Sequence, residues 1–411
     1  MTTVPTGFTF PQAQGANALR APGLRFAGAQ TQRPAASRPA HGVPLFVGFG
    51  KRLPAVPLSA PPVLELSGWE HFRSWVDPLE SGFLSSAVKG FFANGGKFCA
   101  VLPVLSAGPK PEAQDLMRPF AGGGILEDVG DIDLVCVPDA VARFINAGSA
   151  LQDIQATVLE HCQTMGDRFA ILDAGRFDGD CLAQVTDQSH WNKTHFGALY
   201  FPWLRLDSTK RGEAANRIVV PPVPPCGHVA GLYARTDART GVHKAPANEI
   251  VEGAVAVDWN LDDEQHGQLN DAGVNCIRSS PGRGIRVWGA RTLSGQSGWL
   301  YVPVTRLFLA LTAWLKNHMD DIVFESHTPE LRRRVQRRLA AYCLELMDSG
   351  ALAGMDPASA FFVKCDAENN PPASRDAGQL VAEVGLAPAI PAEFVVVRIT
   401  QDANGIAVTG L

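Results

Sequence analysis

Five compact apolar runs between residues 98 and 222 constrain this chain more than any other feature. They are FCAVLPVL (98–105), IDLVCVP (132–138), RFAILDA (168–174), GALYFPWL (197–204) and RIVVPP (217–222). Each is short and apolar at consecutive positions rather than alternate ones. That pattern predicts strands buried on both faces, as in a mostly parallel sheet covered by helices. Between the second and third runs, LQDIQATVLEHCQTM (151–165) sets Leu151, Ile154, Val158 and Cys162 at the spacing of one helical face. The rhythm of strand and helix predicts an α/β layer fold. With 411 residues, 46% hydrophobic and 19% charged, the chain has material for a sizeable core and for two or three domains.

The last third reads differently. VNCIR (274–278) and IRVWGAR (285–291) are two strands around the turn SSPGRG. PVTRLFLALTAWLKNHM (303–319) is a helix with proline near its start. PELRRRVQRRLAAYCLELM (329–347) is another, with Leu331, Val335, Leu339, Tyr342 and Leu346 as its apolar stripe. Arg332, Arg333, Arg334, Arg337 and Arg338 fill most of the remaining surface of its first half. FFVKCD (361–366) is a strand, and EFVVVRIT (393–400) is strongly β-prone, followed by a turn and a short tail. An acidic stretch, 249–271, contains no lysine or arginine. It reads as a solvated face, or as a surface that pairs with arginines of a neighbouring copy.

The N-terminal 64 residues form a compositional block with no acid, six basic residues and ten prolines. The first forty cannot build a core and read as an extended arm. VPLFVGFG (43–50) then makes a short apolar strand ending in a glycine turn. The arm is cationic while the whole chain carries −5, so it suits an acidic docking surface; an ordinary flexible terminus is the other reading.

Catalytic signals are missing. There is no HExxH, GxSxG, Walker A, or GxGxxG after a strand. Asp131 and Asp133 in GDIDLVCVP could be paired carboxylates but read as a strand edge, and His228 reads as a packing residue. The eight cysteines form no CxxC pair and read as buried free thiols. No catalytic, cofactor-binding or metal residues are therefore assigned. No 18-residue apolar run and no secretory signal is present, and the mild acidity argues against nucleic acid as a partner.

A series of blocks in fixed order resembles the contractile tail sheath family of phages, R-type pyocins and extracellular contractile injection systems. GHVAGLYARTDARTGVHKAPANEIVEG (227–253) carries the likeness, with FFANGGKFCAVL (91–102), RFAILDA and ALYFPWL before it. GVNCIRSSPGRGIRVWGARTLS (273–294), YVPVTRLF, VFESHTPEL, GALAGMDPASAFFVKCD and AGQLVAEVGLAPAIPAEFVVVRITQD (377–402) follow. APG (21–23) is similar to the family's N-terminal strand motif, although the extension before it is longer and the acids that often follow it are missing.

The resemblance implies an α/β fold: a subtilisin-like α/β sheath domain without a catalytic triad over 65–280, plus a C-terminal α+β sheath domain facing the inner tube over 281–392. It implies an extended N-terminal arm (1–42), a strand and linker joining it to the body (43–64), and a C-terminal strand-exchange arm (393–411). The partners implied are further copies in a helical sheath of stacked rings, paralogous sheath subunits, an inner tube protein, and baseplate and terminator or cap proteins, without nucleic acid or membrane. Assembly would occur in the bacterial cytoplasm, with release in a phage tail or an extracellular injection particle. Contraction would drive the tube through a target envelope without enzymatic activity.

Strand exchange is expected from Leu24, Arg25, Phe26 and Ala27 in one arm and from Phe394, Val395, Val396, Val397, Arg398 and Ile399 in the other, by addition to sheet edges of adjoining copies. Arg334, Arg337 and Arg338, at i, i+3 and i+4, are expected to share a face against an acidic tube. The competing readings are a subtilisin-like α/β hydrolytic enzyme, which lacks a GTSMA-like nucleophile segment here, and a soluble α/β binding module, which needs a concave apolar pocket.

Overall fold

The computed structural model describes residues 41–57, 60–108, 110–145, 147–177, 179–207, 221–376, 378–393, 397–402 and 405–410. Its strands are β1 (Pro44–Arg52), β2 (Leu64–Leu66), β3 (Val76–Pro78), β4 (Cys99–Val104), β5 (Leu134–Cys136), β6 (Phe169–Asp173), β7 (Gly197–Phe201), β8 (Leu204–Leu206), β9 (Ala254–Val257), β10 (Val274–Ser280), β11 (Gly284–Trp288), β12 (Phe361–Lys364), β13 (Glu383–Leu386), β14 (Val397–Asp402) and β15 (Gly405–Gly410). The longer helices are α1 (Leu84–Ala93), α2 (Ala150–Met165), α3 (Cys181–His190), α4 (Cys226–Arg239), α5 (Asp263–Asp271), α6 (Val302–His318) and α7 (Pro329–Asp348).

The main sheet runs in the order β11-β10-β7-β6-β5-β1-β4-β2. From β10 to β4 every neighbouring pair is parallel. The antiparallel β11 and β2 close the two edges, and β3 pairs with the far end of β1. Four of the five apolar runs thus supply β4, β5, β6 and β7. The run at 197–204 divides after β7, because Pro202 has no N–H to continue a ladder. Its second piece, β8, pairs with β9 in a separate small sheet. Most of RIVVPP lies outside the described residues.

The strand expected to link the arm to the body sits near the middle of this sheet. β1 pairs with β4 on one side and β5 on the other. Leu45, Phe46 and Val47 are wholly buried. VPLFVGF has no polar alternation, and that is the mark of a strand covered on both faces. The sheet layer therefore starts before residue 65.

Helices α1 and α4 cross very closely. A Cβ on Gly227 would stand 2.2 Å from the Ala87 carbonyl oxygen, an obstacle of backbone that no side-chain movement relieves. Asp139 fixes the start of α1. Its buried carboxylate accepts from the Phe83 N–H at 2.5 Å and from the Phe49 N–H at 2.6 Å, tying that helix to β1. At the end of β6, buried Asp173 accepts from the Cys226 N–H at 2.7 Å, the first residue of α4. Each carboxylate answers unsatisfied donors at a helix start.

A smaller assembly gathers α6, α7, β12 and β13. Leu331, Val335, Leu339 and Cys343 are the buried stripe of α7, so its C-terminal half turns Cys343 inward and leaves Tyr342 and Leu346 at the margin. Tyr342 stacks on Trp314 of α6 with ring centroids 4.3 Å apart. The antiparallel pair β12–β13 packs on α7 through Val363 and Val384. The hairpin β14–β15 is a further two-stranded sheet that pairs with no other described strand.

Candidate assembly interface

A buried arginine, Arg306, and a part-buried one, Arg291, stand near residues 41 and 393. Arg306 lies on α6, only 3% exposed, inside the otherwise apolar run VPVTRLFLAL. Its guanidinium forms a fork with Asp237 of α4 at 2.8 and 2.6 Å and reaches Asp133 at 2.7 Å. It also lies over the Tyr233 ring, 4.9 Å from the centroid, and the Tyr233 hydroxyl meets that of Tyr200 at 2.8 Å. Asp133 in turn accepts from the backbone N–H groups of Gly42 at 3.0 Å and Val43 at 2.7 Å. Gly42 has φ +78°, and a Cβ there would meet Ala234 Cα at 2.6 Å. The chain entering β1 is thus held in a turn that favours glycine. Burial works against the Arg306 charge, but Asp237 and Asp133 outweigh it and push the group's pKa up.

Arg291 plays the matching part at the other end. Its Nε and Nη2 bind Glu393 at 3.0 and 2.6 Å, and its Nη1 donates to the Asn270 carbonyl at 2.9 Å. The side chains of this pair are 12% and 16% exposed. Paired guanidinium and carboxylate forks of this kind are short and directional. Residues 41 and 393 therefore both lie beside charge clusters built from different parts of the chain.

The expected exchange segments divide. Leu24, Arg25, Phe26 and Ala27 lie outside the described residues, as do Phe394, Val395 and Val396. Val397, Arg398 and Ile399 fall in β14 and pair with Gly410, Thr409 and Val408 of β15 in their own chain. The expected tail after the turn is therefore a second strand. The three helix arginines also divide. Arg334 binds Glu325 at 3.1 Å, and Arg338 binds Asp321 at 2.6 and 2.9 Å. Arg337 is exposed, with no carboxylate partner among the described residues. The stripe places all three on one side of α7, but two already have acids in the adjoining loop.

Four of the seven acids of the acidic stretch, Glu249, Asp258, Asp263 and Asp271, find cations within the chain. Asp258 binds Arg176 at 2.6 Å and Arg205 at 2.5 Å, and Asp263 binds Arg278 at 2.8 Å. Glu249 is held between Arg235 and Arg239. The stretch is β9 and the capped helix α5 rather than a loop. Sequence reading could not foresee this, because the arginines lie 10 to 82 residues away. Asp133 reads from sequence as a solvated strand edge, and Asp237, Arg291, Arg306 and Glu393 carry no sequence assignment. A lone arginine amid the apolar residues of α6 was the available signal. A charge within a buried helix face needs a partner.

Several groups titrate far from their ordinary ranges. Burial pushes the Asp173 carboxyl up to about 7. Burial pushes His228 down to about 4, and burial with the nearby Arg168 guanidinium pushes His161 down to about 4. His228 packs against Gly90 of α1, where a Cβ would stand 2.5 Å from its ring. Between pH 6.5 and 4 the unfolded chain takes up protons at both histidines while the folded chain does not, so stability falls as pH drops through that window. Asp173 acts oppositely: its folded form holds a proton that the unfolded chain releases above pH 3.8, so its contribution is lost as pH rises towards 7. His195, also pushed down to about 4 by burial, acts with these two histidines, and the buried Asp139 and Asp237 carboxyls, pushed up, act with Asp173; a net loss on acidification is expected. Urea midpoints at pH 7 and 5 should show it, with Asp173→Asn enlarging the difference and His228→Gln reducing it.

The eight cysteines are buried and free. Among the described residues no group of three or more His, Cys, Asp or Glu side chains is placed to hold a metal ion, and no helix is long and apolar enough to cross a membrane.

Residues 130–293 match the phage tail sheath protein central domain. A putative prophage major tail sheath protein of Pseudomonas aeruginosa (strain UCBPP-PA14) is 31% identical over 140 residues, covering 32% of this chain and 36% of that protein. The match thus spans about a third of the length of that curated relative. The helical sheath of the anti-feeding prophage (AFP), solved in the contracted state, is similar over 98% of this chain and 100% of its own, with 28% identity and a TM-score of 0.71. The contracted sheath complex of PVC, an extracellular contractile injection system, is similar over 93% of this chain and 98% of its own, with 26% identity and a TM-score of 0.70. With a mixed α/β fold shared along nearly its whole length and residues 130–293 matching the central domain, this chain is similar to the sheath proteins of contractile phage tails and extracellular injection systems.

Proposed function

We propose that the chain is the repeating, non-enzymatic subunit of a contractile sheath that polymerises helically around an inner tube and shortens to drive it through a cell envelope. The whole-length likeness to contracted sheaths carries this reading. The sheet layer serves as the subtilisin-like body, and the α6–α7–β12–β13 assembly as the part facing the tube. Copies are tied by strand exchange. β12–β13 and β14–β15 are each two-stranded, and a lone two-stranded sheet is marginal in water. Their outer edges are suited to accept or donate a strand from an adjoining copy. On the tube side, Arg337 is the arginine with charge to spare, while Arg334 and Arg338 shape the surface around it. Baseplate and cap proteins would template and end the polymer, which is assembled in a bacterial cytoplasm and released as a phage tail or an injection particle.

The test is direct imaging. Purified full-length protein, alone and mixed with its tube protein, is expected to give hollow cylinders in negative stain. Monodisperse globular particles under both conditions would overturn the reading.

A further inference from the structure

A groove of about 280 Å³ opens beside the point where the N-terminal arm meets the body. Its floor is Val43 and Cys99, its apolar wall is Phe98 and Ile125, and Asp128 and Asp131 stand on its rim. Phe98 and Ile125 are 37% and 45% exposed, unusual for large apolar side chains in an otherwise buried cluster. Asp128 and Asp131 are exposed, and neither forms an ion pair among the described residues. Val43 is both a lining residue and the first residue after segment 1–42. The chain reaches Val43 through Gly42, whose turn lies against Ala234 and Asp133, so the segment before it begins within a few residues of the groove.

Residues 31–40 read TQRPAASRPA. They offer two prolines and three alanines for an apolar wall, and Arg33 and Arg38 for an acidic rim, with no acid of their own. Proline-bearing extended segments dock in aromatic-lined grooves because little chain entropy is lost on binding. Ten residues span at most about 33–36 Å, so the segment reaches the whole groove without strain.

We propose that this groove receives the proximal arm, residues 33–40, of its own chain, with Arg33 and Arg38 against Asp128 and Asp131 and the prolines against Phe98 and Ile125. The contact sets the direction in which the distal arm leaves the body. In a free subunit it keeps an apolar surface covered. It stands on the groove and the arm's composition, and does not depend on how copies assemble.

Disulfide trapping in the full-length, unassembled chain tests it. Ser37→Cys is combined with Ile125→Cys, and Ala35→Cys with Asp128→Cys as a second pair. Seven native thiols are buried away from the groove and the eighth, Cys99 on its floor, is replaced by alanine in every variant, so mild oxidation is directed to the new pair. The expected result is a monomeric, intrachain disulfide in most molecules for at least one pair. For the Ser37–Ile125 pair, Asp128→Lys with Asp131→Lys is expected to lower the yield at least about fivefold at low salt, because like charges then face each other. Disulfide-linked dimers in place of the intrachain product would assign the groove to a second copy and overturn the proposal. Absence of any crosslink from both pairs would overturn it too. Neither result bears on whether the protein forms cylinders.

Discussion

Arg306→Met is expected to destabilise the folded chain by about 3–5 kcal/mol, the usual cost of removing one partner from a buried charge cluster. Asp237 would then lose both arms of its fork, and Asp133 would keep only the Gly42 and Val43 N–H groups. The control separates electrostatics from packing. Arg306→Met together with Asp133→Asn and Asp237→Asn removes the stranded charges, and is expected to recover most of the loss. Urea unfolding of the three forms, with midpoint and slope compared, reads it. A single variant as stable as the parent would show that the cluster does not hold the arm root.

Removing residues 394–411 is expected to leave a soluble, folded subunit that forms no cylinders. The cut is placed after Glu393 so that its pair with Arg291 survives. If an outer edge of β14 contributes about five bonds at roughly 0.5–1.5 kcal/mol each, its loss weakens each contact by several kcal/mol. That corresponds to a critical concentration raised at least about a hundredfold. Unfolding midpoints should be unchanged, because the hairpin pairs with no strand of the body. Cylinders of normal length from the truncated chain would rule out the C-terminal interlock.

The sheet was legible because its strands are unbroken apolar runs. Leu134, Val135 and Cys136 can only be a strand covered on both sides, and the structure buries all three. β1 shows the limit of that reading. VPLFVGF had the same signature, but its place between β4 and β5 depends on pairings 55 and 90 residues away, and periodicity carries no such information. Charge composition misled more. The acids of 249–271 looked like a free surface because their arginines are remote in sequence. The roots of the arms were hidden for the same reason. Asp133, Asp237 and Arg306 come from three separate segments, and only Arg306, a charge in an apolar helix face, is unusual alone.

The position of β1 has a mechanical meaning. A pull on the N-terminal arm enters β1 at Pro44 and runs along the strand, parallel to its neighbours β4 and β5. Load in that direction strains many ladder hydrogen bonds at once, in shear. Were the arm attached to an antiparallel edge such as β11, the same tension would peel bonds one after another. If copies exchange their N-terminal segments as proposed, a tether built this way carries tension between neighbours during a rapid shape change while the body behind it keeps its form.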